Sequence, residues 1–164
     1  TKRMTGFAVA NRINNVDSAS DVYPTSEFVP STEPDGDNNA AIYITRKASL
    51  AQAATALKVF FSANRDTDSE IKVLYKILRS DDASDFDELG YRFFNDTGDP
   101  DTATNPSLGR DDFQEYLYTA GVTDDGIGDA LDPFIAFSIK IVMQSTNSAE
   151  PPRIKDFRAI ALAT

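Results

Sequence analysis

Apolar and polar residues alternate most regularly towards the end of the chain. In residues 132–146, Phe137, Ile139, Ile141 and Met143 fall on one side of an extended backbone, and Ser138, Lys140, Val142 and Gln144 on the other. This is the period-two pattern of a half-buried strand. Residues 152–162 follow as a second strand. A pairing strand in that position is expected to return to the middle of a sheet and close the fold.

Earlier segments repeat the pattern. A short strand is expected over 4–10, then a long loop over 11–39 rich in Asn, Asp, Ser, Pro and Gly, with Val22, Tyr23, Phe28 and Val29 as apolar anchors that pack it down. Residues 41–47 alternate as a strand behind the turn-forming 35–39. The Ala and Gln content of 49–55 suits a helical turn too short to stand alone. Residues 57–63 and 70–78 read as strands, the second with Ile71, Val73, Tyr75 and Ile77 on one face. The polar link 64–69 is expected to join these two as an antiparallel hairpin, although it lacks glycine. An acidic stretch over 80–90 precedes the aromatic piece 91–94, and a second acidic loop leads to a strand at 113–118. The sum is an all-β, antiparallel two-sheet β-sandwich, jelly-roll-like, of about eight strands with long loops. No internal repeat or linker divides it, so residues 1–164 are expected to form a single domain.

Composition narrows the chemistry. Among 164 residues, 26 acidic side chains face 16 basic ones, and the net charge of −10 repels phosphates and anionic membranes. Neither nucleic acid nor membrane insertion is expected, the latter because no apolar run approaches the ~20 residues a span requires. Cysteine and histidine are both absent. Their loss removes thiolate nucleophiles, Cys-based zinc sites and the commonest general base and transition-metal ligand. The chain begins Thr1-Lys2-Arg3 without a signal-peptide pattern or an initiator methionine, and is expected to be a piece of a longer polypeptide.

Three Asp-rich loops raise the question of calcium: 35–39 with Asp35, Asp37 and Asn39, 96–101, and 124–129. Alternating carboxylates on a tight turn can supply several of the ion's six to eight oxygen ligands, but none of these loops completes an EF-hand, and turns prefer the same residues. No cofactor is expected. For glycoside hydrolysis, Glu115 and then Glu70 are the candidate carboxylates, but nothing in the sequence places a second acid beside either, and the expectation is not an enzyme. Tyr23, Tyr43, Tyr91, Tyr116 and Tyr118 are the rings available for a sugar-stacking platform. Tyrosine on an alternating strand is also a common core-edge residue. Arg153 and Arg158 are expected to pair with Asp156 and fix the last strand.

Two stretches carry a resemblance. Residues 39–47 with Ser49-Leu50-Ala51, then 71–82 with Phe86-Asp87, and the ending 139–149 with 152–162, resemble a module of tail or baseplate structural proteins of contractile-tailed bacteriophages, especially those infecting marine cyanobacteria. The resemblance covers roughly residues 39–88 and 134–163, and departs from the expected polar, glycine-containing turn at 48–54. It implies a non-enzymatic virion component acting through contacts with other virion subunits, located in tail or baseplate. The alternative is a carbohydrate-binding module recognising host-surface glycans.

Overall fold

A computed structural model describes residues 41–121, 129–145 and 150–163. The expected strand at 4–10, the anchored loop, Tyr23 and the Asp35, Asp37, Asn39 turn lie outside the described residues. Within them run eight strands: β1 (Ala41–Ile44), β2 (Ala48–Ala54), β3 (Ala56–Asn64), β4 (Ser69–Arg79), β5 (Arg92–Phe93), β6 (Gln114–Gly121), β7 (Phe134–Ser145) and β8 (Arg153–Leu162). All pairings are antiparallel. One sheet, A, has the order β1-β7-β4-β5 with β2 also on β7; the other, B, has the order β6-β3-β8. The expected all-β two-sheet sandwich is the architecture found, and these pairings do not by themselves establish its jelly-roll variant.

The core lies between the sheets. Leu57, Val59, Phe61 and Ala63 of β3 alternate inward, as do Ile71, Val73, Tyr75 and Ile77 of β4, and Phe137, Ile139, Ile141 and Met143 of β7. Within sheet B, Phe61 stacks on Tyr116 and Tyr118 at 5.3 and 5.5 Å, and Phe94 bridges the layers, meeting Tyr118 of sheet B and Tyr75 of sheet A at 5.7 and 4.7 Å.

Four expectations change. The predicted hairpin of β3 with β4 does not form, because both strands turn their apolar faces towards the same core from opposite sheets. Their link is an arch, braced by Asp66, whose carboxylate accepts from Ser69 Oγ at 2.5 Å and from the Asp68 amide at 3.1 Å. The helical turn at 49–55 is strand β2, since pairing with β7 and contact of Ala48 and Leu50 with the core outweigh a weak local preference. β7, not the last strand, is central. β8 pairs with β3 alone among the described residues.

The fourth change concerns the far side of β7, which is not solvated. Ser138, Lys140 and Val142 are all buried, and residues 80–91 fold across the outer face of sheet A over Ser138 and Lys140. Phe86 and Tyr91 of that segment are buried there, and the Lys76 ammonium donates to the Phe86 carbonyl at 2.9 Å while lying over both rings. Lys140 lies over Tyr91 as well, at 5.1 Å. Tyr91 Oη and Ser138 Oγ share a hydrogen bond of 3.1 Å, and Ser138 donates to the Thr45 carbonyl at 3.0 Å. Burial pulls the Lys76 pKa down, against the charges of Asp87 and Asp85, which raise it. Each polar group named here has a partner, as a buried polar group requires.

Candidate functional site

Sheet B turns its other face outward, and the register of its three strands sets out the residues row by row. Thr119, Lys58 and Ile160 form one row, Leu117, Phe60 and Arg158 the next, Glu115, Ser62 and Lys155 the third. Asn64 and Arg153 continue it, with Phe113 just ahead of β6. Each position follows from strand alternation: with 57, 59, 61 and 63 committed to the core, 58, 60, 62 and 64 point away from it. The face therefore carries apolar Phe60, Leu117, Phe113 and Ile160, the last 42% exposed, among the cations Lys58, Arg153, Lys155 and Arg158. Glu115 is its acidic member, and Asp101 lies at its rim, accepting from the Thr119 amide and hydroxyl at 3.0 and 2.7 Å. Lys155 Nζ stands 4.0 Å from the centre of the Phe113 ring, and the Arg153 guanidinium 5.6 Å.

A bulge in β8 builds part of this face. Between the Phe60 and Ser62 pairings β8 carries one extra residue, and Asp156 takes a left-handed φ of 57°. The alternation switches there, so that Ile154 and Phe157 both pack on the core although an odd number of positions separates them. Arg158 and Lys155 are thereby both left on the outer side.

The end of the face is closed by side chains that hold the 104–112 loop. Asn64 Nδ2 donates to the Gly109 and Asp112 carbonyls at 2.8 and 2.7 Å, and its Oδ1 accepts from Arg153 at 2.7 Å. Arg153 also donates to the Arg110 carbonyl. Arg65 reaches Tyr116 Oη at 3.0 Å and the Ser69 carbonyl at 2.9 Å, and its backbone exchanges hydrogen bonds with Ser107. The expected Arg153 to Asp156 pair is replaced by these contacts. So held, the loop projects Leu108, 97% exposed, into solvent. An open groove of about 480 Å³ runs beside it, lined by Asn64, Asp66, Arg110, Glu150 and Arg153 among others.

A smaller groove of about 350 Å³ lies on the other side of Arg65, with Glu70, Lys72, Asp99 and Tyr116 in its wall. Lys72 Nζ meets Asp99 at 2.6 Å. Burial pushes the Asp99 carboxyl up, but the hydrogen bonds from Lys72 and Thr97 and the charges of Lys72 and Arg65 outweigh it, and its pKa lies below the usual carboxylate range.

The structure disperses the residues expected to form sites. Tyr91, Tyr116 and Tyr118 are buried, so they offer no platform to a sugar; their rings fill the space above and between the sheets. Tyr43 is 51% exposed and meets Phe157 edge-on at 6.0 Å, where β1 and β8 approach across the sandwich. In the 96–101 loop the carboxylates serve the protein: Asp99 holds Lys72, and Asp101 holds Thr119 and Asn95. Among the described residues no group of acidic side chains is arranged to hold a metal ion. Glu115 is exposed on the open face of sheet B, and Glu70 is exposed on β4. The outer face of sheet B escaped the sequence reading because its rows join β6, β3 and β8, which no local window contains. Its only sequence signal is the set of basic residues in 153–158.

Comparison with protein-family models, with curated proteins and with solved structures finds no match to this chain.

Proposed function

We propose that this protein is a non-enzymatic structural domain that works through protein–protein contacts, as part of the tail or baseplate of a contractile-tailed phage. The observation that carries the contact reading is the outer face of sheet B: a three-stranded surface with Phe60, Leu117 and Ile160 among long cationic side chains. Such a mixed surface on a rigid sheet is suited to docking another protein, with apolar residues in the middle and charges that set orientation at the edge. The rigidly held 104–112 loop adds Leu108 as a projecting apolar contact. The virion setting is supported by the resemblance in residues 39–88 and 134–163. The glycan alternative has less support, because three of its five rings are buried.

Immunogold electron microscopy of the phage particles, with an antibody raised against this domain, tests the setting. Gold on the tail or baseplate is the expected result. Gold confined to distal fibre tips would favour host-glycan recognition. Unlabelled intact particles, with no reactive protein after their dissociation, would refute a virion role.

A further inference from the structure

We infer that the outer face of sheet B receives a second copy of this chain, docked by the side that carries its 80–91 segment. The inference rests on the contact reading above and names the partner. Its ground is charge complementarity between two opposite sides of one molecule. Residues 80–91 lie across the outer face of sheet A and contain Asp81, Asp82, Asp85, Asp87 and Glu88 with no basic residue. All but Asp82 are exposed. On the far side of the sandwich, the nine paired positions of sheet B from Lys58 to Lys155 contain three cations and one anion, in a chain whose net charge is −10. In a chain this acidic, a face that carries more cations than anions attracts the exposed carboxylates of a neighbour's 80–91 segment. Because the two surfaces differ, the contact is head-to-tail, and it repeats into a ring or a stack.

Scale sets the strength. Three strands about 4.8 Å apart and seven residues of about 3.4 Å make a face of about 14 Å by about 24 Å, roughly 350 Å² per partner, within the range of weak contacts. Isolated copies then associate weakly, and the contact becomes effective when copies are held together in a larger assembly.

The test uses the whole chain and two charge-reversed variants, followed by sedimentation velocity over a wide concentration range. One variant makes the face acidic, Lys155→Glu with Arg158→Glu. The other makes the loop net basic, Asp81→Lys with Asp87→Lys and Glu88→Lys, which leaves three cations against Asp82 and Asp85. All five positions are exposed, and circular dichroism checks that each variant folds. The wild type is expected to associate with rising concentration, at least about tenfold more weakly when salt shortens the Debye length from about 30 Å to about 3 Å. Each variant alone stays monomeric, since its two sides now carry like charge. Mixed, they associate again, because both the native and the reversed contact are then attractive. A wild type that remains monomeric at every concentration overturns the inference, as does a variant that associates like the wild type. Binding of the face to a single-stranded oligonucleotide, lost in the Lys155, Arg158 variant while the wild type stays monomeric, would overturn it in favour of a nucleic-acid surface. Absence of self-association together with gold on the tail would leave the contact reading standing and point to a different virion subunit.

Discussion

Tyr118 is fully buried between Phe61 and Phe94, and its hydroxyl has no hydrogen-bond partner. Burial, with the nearby Tyr116 phenol and Asp99 in support, pushes its pKa far above the ordinary phenol range, so the hydroxyl stays neutral. An unsatisfied buried donor costs about 1–3 kcal/mol, while the ring itself stabilises through its contacts. Tyr118→Phe keeps the ring and removes the hydroxyl. It is expected to raise stability by about 1 kcal/mol, read as a higher urea midpoint with unchanged slope. A lower midpoint would mean that the hydroxyl is satisfied by a buried water. Asp99 makes the opposite case. Its folded pKa lies below its unfolded value, so its pairing with Lys72 contributes stability above the unfolded carboxylate pKa of about 4, and that contribution is lost as pH falls through the folded value. The side chain is 53% exposed, and solvent screening holds the contribution to below about 1 kcal/mol. Asp99→Asn should lower stability by that amount at neutral pH and match the wild type in strong acid. A difference that persists unchanged in acid would show that packing, and not charge, is at work.

Gly121 ends β6 at a φ of +97°, where a β-carbon would stand 2.5 Å from the Thr55 carbonyl oxygen and 2.8 Å from Ala56 Cα. Both the backbone conformation and the space require glycine. Gly121→Ala is expected to cost about 2 kcal/mol or more, and to raise amide exchange at the β3 and β6 ends. If exchange rises instead in β4 and β7, the two sheets share one cooperative unit. At the closed end, Asn64→Ala removes three hydrogen bonds and should cost about 2 kcal/mol while loosening the 104–112 loop, visible as faster exchange of the Asp112 amide. Strands β3, β4 and β7 were legible in the sequence because inward apolar positions recur every second residue over seven or more positions. β2 was not, since Ala, Ser and Gln carry little preference and its pairing with β7 decides the matter. Nor was the arch between β3 and β4: two apolar alternations separated by a polar link look alike whether the strands pair or face each other. The candidate site was less legible still. The row Leu117, Phe60, Arg158 draws one residue from each of three strands, and three of the tyrosines that drew attention as surface rings, Tyr91, Tyr116 and Tyr118, are buried.

The described residues are electrostatically layered, with a carboxylate-rich segment across sheet A, an apolar core, and a face of sheet B with its own cations. This arrangement lowers repulsion locally, but the chain still carries a net charge of −10, and compaction brings those charges together. The ion pairs that oppose this repulsion among the described residues are few and solvent-facing: Arg79 meets Asp81 and Asp132 at 3.4 and 3.2 Å, and Lys72 meets Asp99. Exposed pairs of that kind contribute about 0–1 kcal/mol each and are themselves screened. Two effects of salt therefore compete. Screening weakens the pairs, lowering stability, and weakens the net repulsion, raising it. With ten uncompensated negative charges against a handful of exposed pairs, the second effect should prevail. Stability is expected to rise with sodium chloride between about 0.01 M and about 0.5 M, where the Debye length contracts to a few ångströms. Urea, being uncharged, is the denaturant that reads this without adding screening of its own, and protein is kept dilute so that association does not enter. The basic-loop variant, Asp81→Lys with Asp87→Lys and Glu88→Lys, carries six fewer units of negative charge and should show a shallower rise. A stability that falls with salt in the wild type would mean that attraction between the acidic cover and the cations of the same molecule already outweighs its net repulsion.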